Sequence, residues 1–153
     1  MVKDEHSDTS REPEILRTLS HPNIQKFIDR FEDHDEVHIV TDFCQGCDLQ
    51  QVAFPFSTAA IEEVIASLAD AIRYLHANDV AHCDIRAENV ILAPDGCTAV
   101  LIDFGAAVRL SAFPRIADAL VQEDWRALFN LQTRLLQAAD TIEVFTASHF
   151  STF

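Results

Sequence analysis

The chain has 153 residues, 48% of them hydrophobic and 24% charged, the length of one domain with enough material for a sizeable core. Eleven Lys and Arg against 25 Asp and Glu give a formal net charge of −14. That charge repels phosphate backbones and anionic lipid, so nucleic acid and membrane surfaces are not expected as partners. No apolar run reaches the roughly 18 residues of a membrane-spanning helix, and the first residues lack the apolar stretch of an export signal. A soluble cytoplasmic protein is therefore expected, with Cys44, Cys47, Cys83 and Cys97 as reduced thiols.

Residues 1–10 are polar enough to be disordered. From Arg11 to Ser20, Ile15, Leu16 and Leu19 recur at helical spacing, which predicts a short helix capped by Ser10 and ended by His21-Pro22-Asn23. Ile24 to Phe31 and Glu36 to Phe43 are rich in β-branched and aromatic residues around the polar Glu32–Asp35, and predict two antiparallel strands. Residues 57–77 carry Ile61, Val64, Ile65, Leu68, Ala71, Ile72 and Leu75, the stripe of a long helix buried on one side. Ser57 and Thr58 suit its start, Asn78-Asp79 its end. Two apolar runs, Asn89 to Leu92 and Thr98 to Ile102, joined by Pro94-Asp95-Gly96, predict a second hairpin. Helical patterning returns from Ile116 to about Ala139, with Leu120, Leu128, Leu131, Leu135 and Leu136 as core positions, before a weakly patterned tail from Thr141. The expected organisation is one domain over residues 11–140, with a terminal stretch on either side.

The chemistry concentrates in His82-Cys83-Asp84-Ile85-Arg86-Ala87-Glu88-Asn89 and in Asp103-Phe104-Gly105, which lie at the ends of apolar strands. Two acids and an amide are thereby expected near one another. Phosphoryl transfer uses such a set: one carboxylate to take the proton of an attacking hydroxyl, and an Asn and a second Asp to hold Mg²⁺ against the phosphates.

This order and spacing resembles the protein kinase family, whose catalytic loop reads His-Arg-Asp-Leu-x-x-x-Asn and whose metal motif reads Asp-Phe-Gly. Around them, Glu12-Pro13-Glu14-Ile15-Leu16-Arg17 with Leu19-Ser20-His21-Pro22-Asn23-Ile24 resembles the end of helix C and its loop. Val37 to Cys44 resembles strand five and the hinge, residues 57–80 helix E, and Asp124-Trp125-Arg126-Ala127-Leu128 the start of helix F. The resemblance implies an α+β, protein-kinase-like fold, truncated in its N-terminal lobe and at the end of its C-terminal lobe. It implies ATP and Mg²⁺ as cofactors and a Ser or Thr hydroxyl of a protein as acceptor.

Carried over residue by residue, Asp84 is the catalytic base and Arg86 the phosphate-facing cation where the family usually has Lys. Asn89 and Asp103 are the metal ligands. Asp42 and Cys44 reach adenine through their backbones, Ile91 lies under the base, and Asp48 is placed for ribose. For the family's strand-three lysine two alternatives stand: Lys3 substitutes for it, paired with Glu12 or Glu14, or that lysine is absent. Asp124 braces the catalytic loop, Trp125 is packing material, and His82 is a buried structural histidine.

Where the sequence departs from the family, the Gly-rich phosphate loop is not found, Cys83 replaces the catalytic-loop arginine, and no Ala-Pro-Glu follows Gly105. These departures keep open a pseudokinase-like module that binds a protein partner without turnover. Cys44-Gln45-Gly46-Cys47 also has the spacing of half a zinc site or a redox pair. The remaining histidines, His76 among them, show no ligand spacing and are expected to be solvated or to cap turns.

Overall fold

The computed structural model describes residues 11–34, 36–52 and 57–150. The elements, in chain order, are α1 (Arg11–Leu16), β1 (Phe27–Asp33), β2 (Glu36–Thr41), β3 (Cys47–Asp48), α2 (Thr58–Ala77), β4 (Val80–Ala81), a 3₁₀ turn (Ala87–Asn89), β5 (Val90–Leu92), β6 (Ala99–Leu101), β7 (Val108–Arg109), a second 3₁₀ turn (Leu110–Ala112) and α3 (Ala117–Phe150). Three small antiparallel sheets result, β1-β2, β3-β5-β6 and β4-β7.

The long helix α2 forms where its apolar stripe predicts. The Ser57 hydroxyl accepts the Ala60 N–H and caps the start, while Ile61, Val64, Leu68, Ala71, Ile72 and Leu75 are buried. Against them lie Leu101, Phe104 and the α3 residues Leu128, Leu131, Leu135 and Ala139. Phe104, the largest side chain in this core, is fully buried. Leu120, expected in the core, is half-exposed. With no Gly or Pro between residues 117 and 150 to stop it, α3 continues through the stretch whose apolar periodicity fades. Among the described residues no helix is long and apolar enough to cross a membrane.

Several bounds differ from the sequence expectation. Helix α1 ends at Leu16, because the next residues close as tighter turns: Thr18 N–H donates to Ile15 O at 3.0 Å, and the Thr18 hydroxyl donates to the same carbonyl at 2.8 Å. Strand β1 starts three residues later than expected, since Ile24 belongs elsewhere. Gln25 N–H donates to Leu101 O and Leu101 N–H to Asn23 O, both at 2.9 Å, which lays residues 23–25 parallel to β6. The hairpin turn narrows to Asp33↔Glu36, so Glu32 and Asp33 are strand rather than loop. Ser10 and Lys3 lie outside the described residues.

Two pairings anchor loops to this frame. Cys47 and Asp48 pair with Leu92 and Ile91, and the approach requires Gly46: at φ +135, a Cβ there would lie 1.9 Å from Leu92 O. Val80 and Ala81 pair with Arg109 and Val108, fastened further by Asp79, whose Oδ1 accepts the Ser111 N–H at 2.8 Å. The β5-β6 turn is closed by Asp95, whose oxygens accept from Cys97 N–H, Thr98 N–H and the Thr98 hydroxyl at 3.0, 2.9 and 2.6 Å. The Thr98 hydroxyl above all, with those amides, holds the Asp95 carboxyl down at about 2.

Candidate functional site

The β5-β6 hairpin sets the geometry. Its ladder continues one step past the strands, with Ile102 N–H donating to Asn89 O at 2.9 Å. Asp103 therefore leaves the sheet beside Asn89, though 14 positions later in the sequence. Asn89 in turn faces the preceding loop. Its Nδ2 donates to Asp84 O at 2.9 Å and to Asp84 Oδ2 at 2.8 Å. The hairpin thus draws Asp84, Asn89 and Asp103 together, with Asn89 buried, Asp84 half-buried and Asp103 exposed.

The loop before Asp84 is held in an unfavourable shape. Cys83 has φ +65 and Asp103 φ +62, the left-handed region that non-glycine residues enter at a cost of about 1–2 kcal/mol. Asp124, in the N-terminal part of α3 and 1% exposed, offsets that cost at Cys83. Its Oδ2 accepts the His82 N–H and its Oδ1 the Cys83 N–H, each at 2.9 Å, which is the bracing role expected of it. Burial first, then Asp124 and Glu123, pushes the Cys83 thiol up to about 11, so it stays protonated and unreactive at neutral pH.

Sequence reasoning missed one member of this network. His76, expected to be solvated or capping, is instead largely buried and places Nε2 2.9 Å from Asp124 Oδ2. A carboxylate only accepts, so Nε2 carries the proton. Trp125 packs edge-on against the same ring, with centroids 5.9 Å apart. The signal available was the helical register of His76 beside the buried Ile72 and Leu75.

His82 is fully buried and meets Phe104 edge-on. Its Nε2 lies 3.2 Å from Ile102 O and its Nδ1 accepts the Asp84 N–H at 3.3 Å. Only a neutral ring does both. Burial holds its pKa below the ordinary histidine value, outweighing the opposing pull of Asp124. Because the unfolded chain takes this proton first as pH falls, the contribution of His82 is present above about pH 6.5 and lost below it. Unfolding free energy should therefore fall between pH 7.5 and 5.5 with a slope of up to about 1.4 kcal/mol per pH unit, reduced in His82→Leu. Urea titrations at the two pH values check this; an equal slope in the variant overturns it.

The other expected residues are placed as follows. Glu12 Oε1 accepts the Phe104 N–H at 3.2 Å, which ties α1 to the Asp103-Phe104-Gly105 turn. Burial, with the nearby Asp103 charge adding to it, raises the Glu12 pKa against the lowering effect of that hydrogen bond. Asp103 Oδ1 accepts the Gly105 N–H at 3.1 Å. Arg86 is exposed and turned to Glu88, bonding it through Nε and a terminal nitrogen at 3.1 Å each. Asp48 is likewise engaged, its Oδ1 accepting the Gln51 N–H at 2.9 Å. The Asp42 N–H donates to Lys26 O at 2.8 Å and the Asp42 carbonyl accepts the Cys44 thiol at 4.0 Å, while Ile91 is half-buried in β5. Cys44 is half-buried and Cys47 exposed, and among the described residues no group of three or more His, Cys, Asp or Glu surrounds a common metal position.

A family model described as "Protein kinase domain" matches residues 1–138. The chain belongs to the protein kinase family. Individual kinases agree with this. The chain is 31% identical over 122 residues to the serine/threonine-protein kinase Nek1 of Mus musculus, 76% of this chain and 10% of that protein. It is 38% identical over 103 residues to serine/threonine-protein kinase 36 of Pongo abelii, 66% of this chain and 8% of that protein. It is 34% identical over 119 residues to calcium-dependent protein kinase 27 of Arabidopsis thaliana, 70% of this chain and 24% of that protein. The chain thus spans between 8% and 24% of the length of these kinases. Its mixed architecture of small antiparallel sheets against two long helices is the α+β, kinase-like fold that the resemblance implies.

Proposed function

We propose that this kinase-family chain binds ATP with Mg²⁺ and transfers the terminal phosphoryl group to a Ser or Thr hydroxyl of a protein. The observation that supports this reading above all is the Asn89 amide, whose donor side is spent on Asp84 at 2.9 and 2.8 Å. Its Oδ1 is then the acceptor left for a cation, and Asp103 emerges beside it with one carboxylate oxygen, Oδ2, not taken by Gly105. Oxygen donors from one amide and one carboxylate suit a hard divalent ion that completes its shell with phosphate oxygens and water.

On this reading Asp84 accepts the proton of the attacking hydroxyl through Oδ1, while Oδ2 stays pinned by Asn89. Magnesium, when bound, offsets the charge that builds on the phosphoryl oxygens. Asp42 and Cys44 meet adenine through their backbones, Ile91 lies beneath the base, Asp48 faces the ribose, and Lys3 with Glu12 anchors the phosphates. Arg86 reaches a phosphate only by releasing Glu88. The Ser or Thr acceptor is supported by the serine/threonine kinases that the chain matches.

The test is the melting temperature with and without ATP and Mg²⁺. Ligand at 100 times its Kd adds about 2.7 kcal/mol, a rise of roughly 5–10 °C for a domain of this size. The rise should require Mg²⁺ and vanish in Asp103→Asn, an exposed position where the amide oxygen can still accept the Gly105 N–H. A cooperative melt that Mg²⁺ and ATP leave unmoved would select a non-catalytic partner-binding module. That second reading is favoured by Arg86 and Asp48, both already satisfied by their neighbours Glu88 and Gln51.

A further inference from the structure

A cavity of about 510 Å³ opens between α1 and the segment running from β7 into the following 3₁₀ turn. None of Asp84, Asn89 or Asp103 lines it. Ile15, Val108 and Phe113 give it an apolar lining, while Arg11, Arg17 and Arg109 face it against a single acid, Glu14. Three of the eleven Lys and Arg in a chain of net charge −14 therefore gather at one concavity.

Among the described residues, Arg17 and Arg109 form no salt bridge. Arg109 is oriented by neutral acceptors, donating to Asn78 O at 3.1 Å and to Thr18 Oγ1 at 2.9 Å, with the Asp79 carboxylate close enough to feel its charge. The Arg17 side chain makes no hydrogen bond or ion pair with any described residue. Glu14, three positions before Arg17 on the same short segment, does not pair with it. Guanidinium groups take carboxylate oxygens in paired, charge-assisted bonds, and ligand pockets commonly hold about 300–1,000 Å³. An inorganic ion would leave the apolar half of the cavity unused.

We propose that this cavity is a binding site for a small organic carboxylate, whose anionic end meets Arg17 and Arg109 and whose apolar body lies against Ile15, Val108 and Phe113. The site is separate from the phosphoryl-transfer reading and is tested by binding alone. The probe is 4-phenylbutanoate, titrated into ¹⁵N-labelled chain and followed by amide chemical shifts, beside 4-phenylbutanamide, which keeps the body and removes the charge, and butanoate, which keeps the charge and removes the ring. A probe of this size should saturate at about millimolar concentration, moving the amides of Thr18, Val108 and Arg109. Both analogues should bind at least about tenfold more weakly, and added salt should weaken the carboxylate.

Arg17→Gln, at an exposed position that leaves the fold intact, should raise the Kd about tenfold. Ala112→Trp, also exposed, fills the cavity and keeps every arginine, and should abolish binding. Equal binding of the amide analogue, unchanged affinity in both variants, or shifts that follow self-association in sedimentation would each overturn the proposal.

Discussion

Asp124→Ala is expected to lower the unfolding free energy by about 3–5 kcal/mol. The carboxylate is 1% exposed and accepts from the His82 amide, the Cys83 amide and His76. Alanine leaves three donors without their acceptor, that of His82 buried and those of Cys83 and His76 part-buried, and each unpaired buried donor costs about 1–3 kcal/mol. It also removes what holds Cys83 at φ +65, so the loop before Asp84 should relax toward an ordinary backbone shape and carry Asp84 with it. Asp124→Asn is not a neutral control. Both oxygens are in use, so one position would present an NH₂ to a donor, and an intermediate loss is expected. Urea denaturation gives the magnitude, and amide exchange should accelerate first at His82 and Cys83. A loss under about 1 kcal/mol, the size of a surface substitution, would show that the loop is held by something else.

Helix α2 and the β5-β6 hairpin were legible because their signals are local. An apolar stripe with Ser57 at its head specifies the one, and Pro94-Asp95-Gly96 between two apolar runs specifies the other. Since the hairpin register alone brings Asn89 beside Asp103, the heart of the candidate site could be read from the sequence too. What escaped is contact between residues far apart. Strands β3, β4 and β7 are two residues long, too short for alternation to show, and exist only because β5 offers β3 a backbone partner and β4 and β7 pair with each other. The bond from His76 to Asp124 spans 48 positions and that from Phe104 to Glu12 spans 92; neither leaves a periodic trace. The apolar Ile24 misled for a related reason. It reads as the start of β1, whereas its neighbours are bonded to Leu101.

Arg86 is the residue where resemblance and geometry part furthest. Its place in the motif implies a cation facing phosphate, yet Glu88, two residues on, holds it through two contacts at 3.1 Å. The pair is exposed, so separating it is cheap in water and favoured by any stronger anion. Glu88 is thereby a competitor for Arg86, a relation that the motif spacing alone does not convey.

On the proposed reading, Asp84→Asn should lower the phosphoryl-transfer rate by about 10²–10⁴-fold, the usual worth of a general base, and leave the Mg²⁺ and ATP melting shift in place. The fold should survive, because the new amide keeps an oxygen that can accept from Asn89 Nδ2 where Asp84 Oδ2 now does at 2.8 Å. What is lost is the basic oxygen, and with it only the proton-accepting step. Asn89→Ala should behave differently. It removes both bonds to Asp84 and one of the two proposed metal donors, so both rate and melting shift should fall. If the two side chains act as a unit, the double variant should transfer phosphate no more slowly than the worse single variant, a non-additivity that independent roles would not produce. Additive losses would separate Asn89's metal contact from its hold on Asp84, and an Asp84→Asn chain as fast as the parent would remove Asp84 as the base.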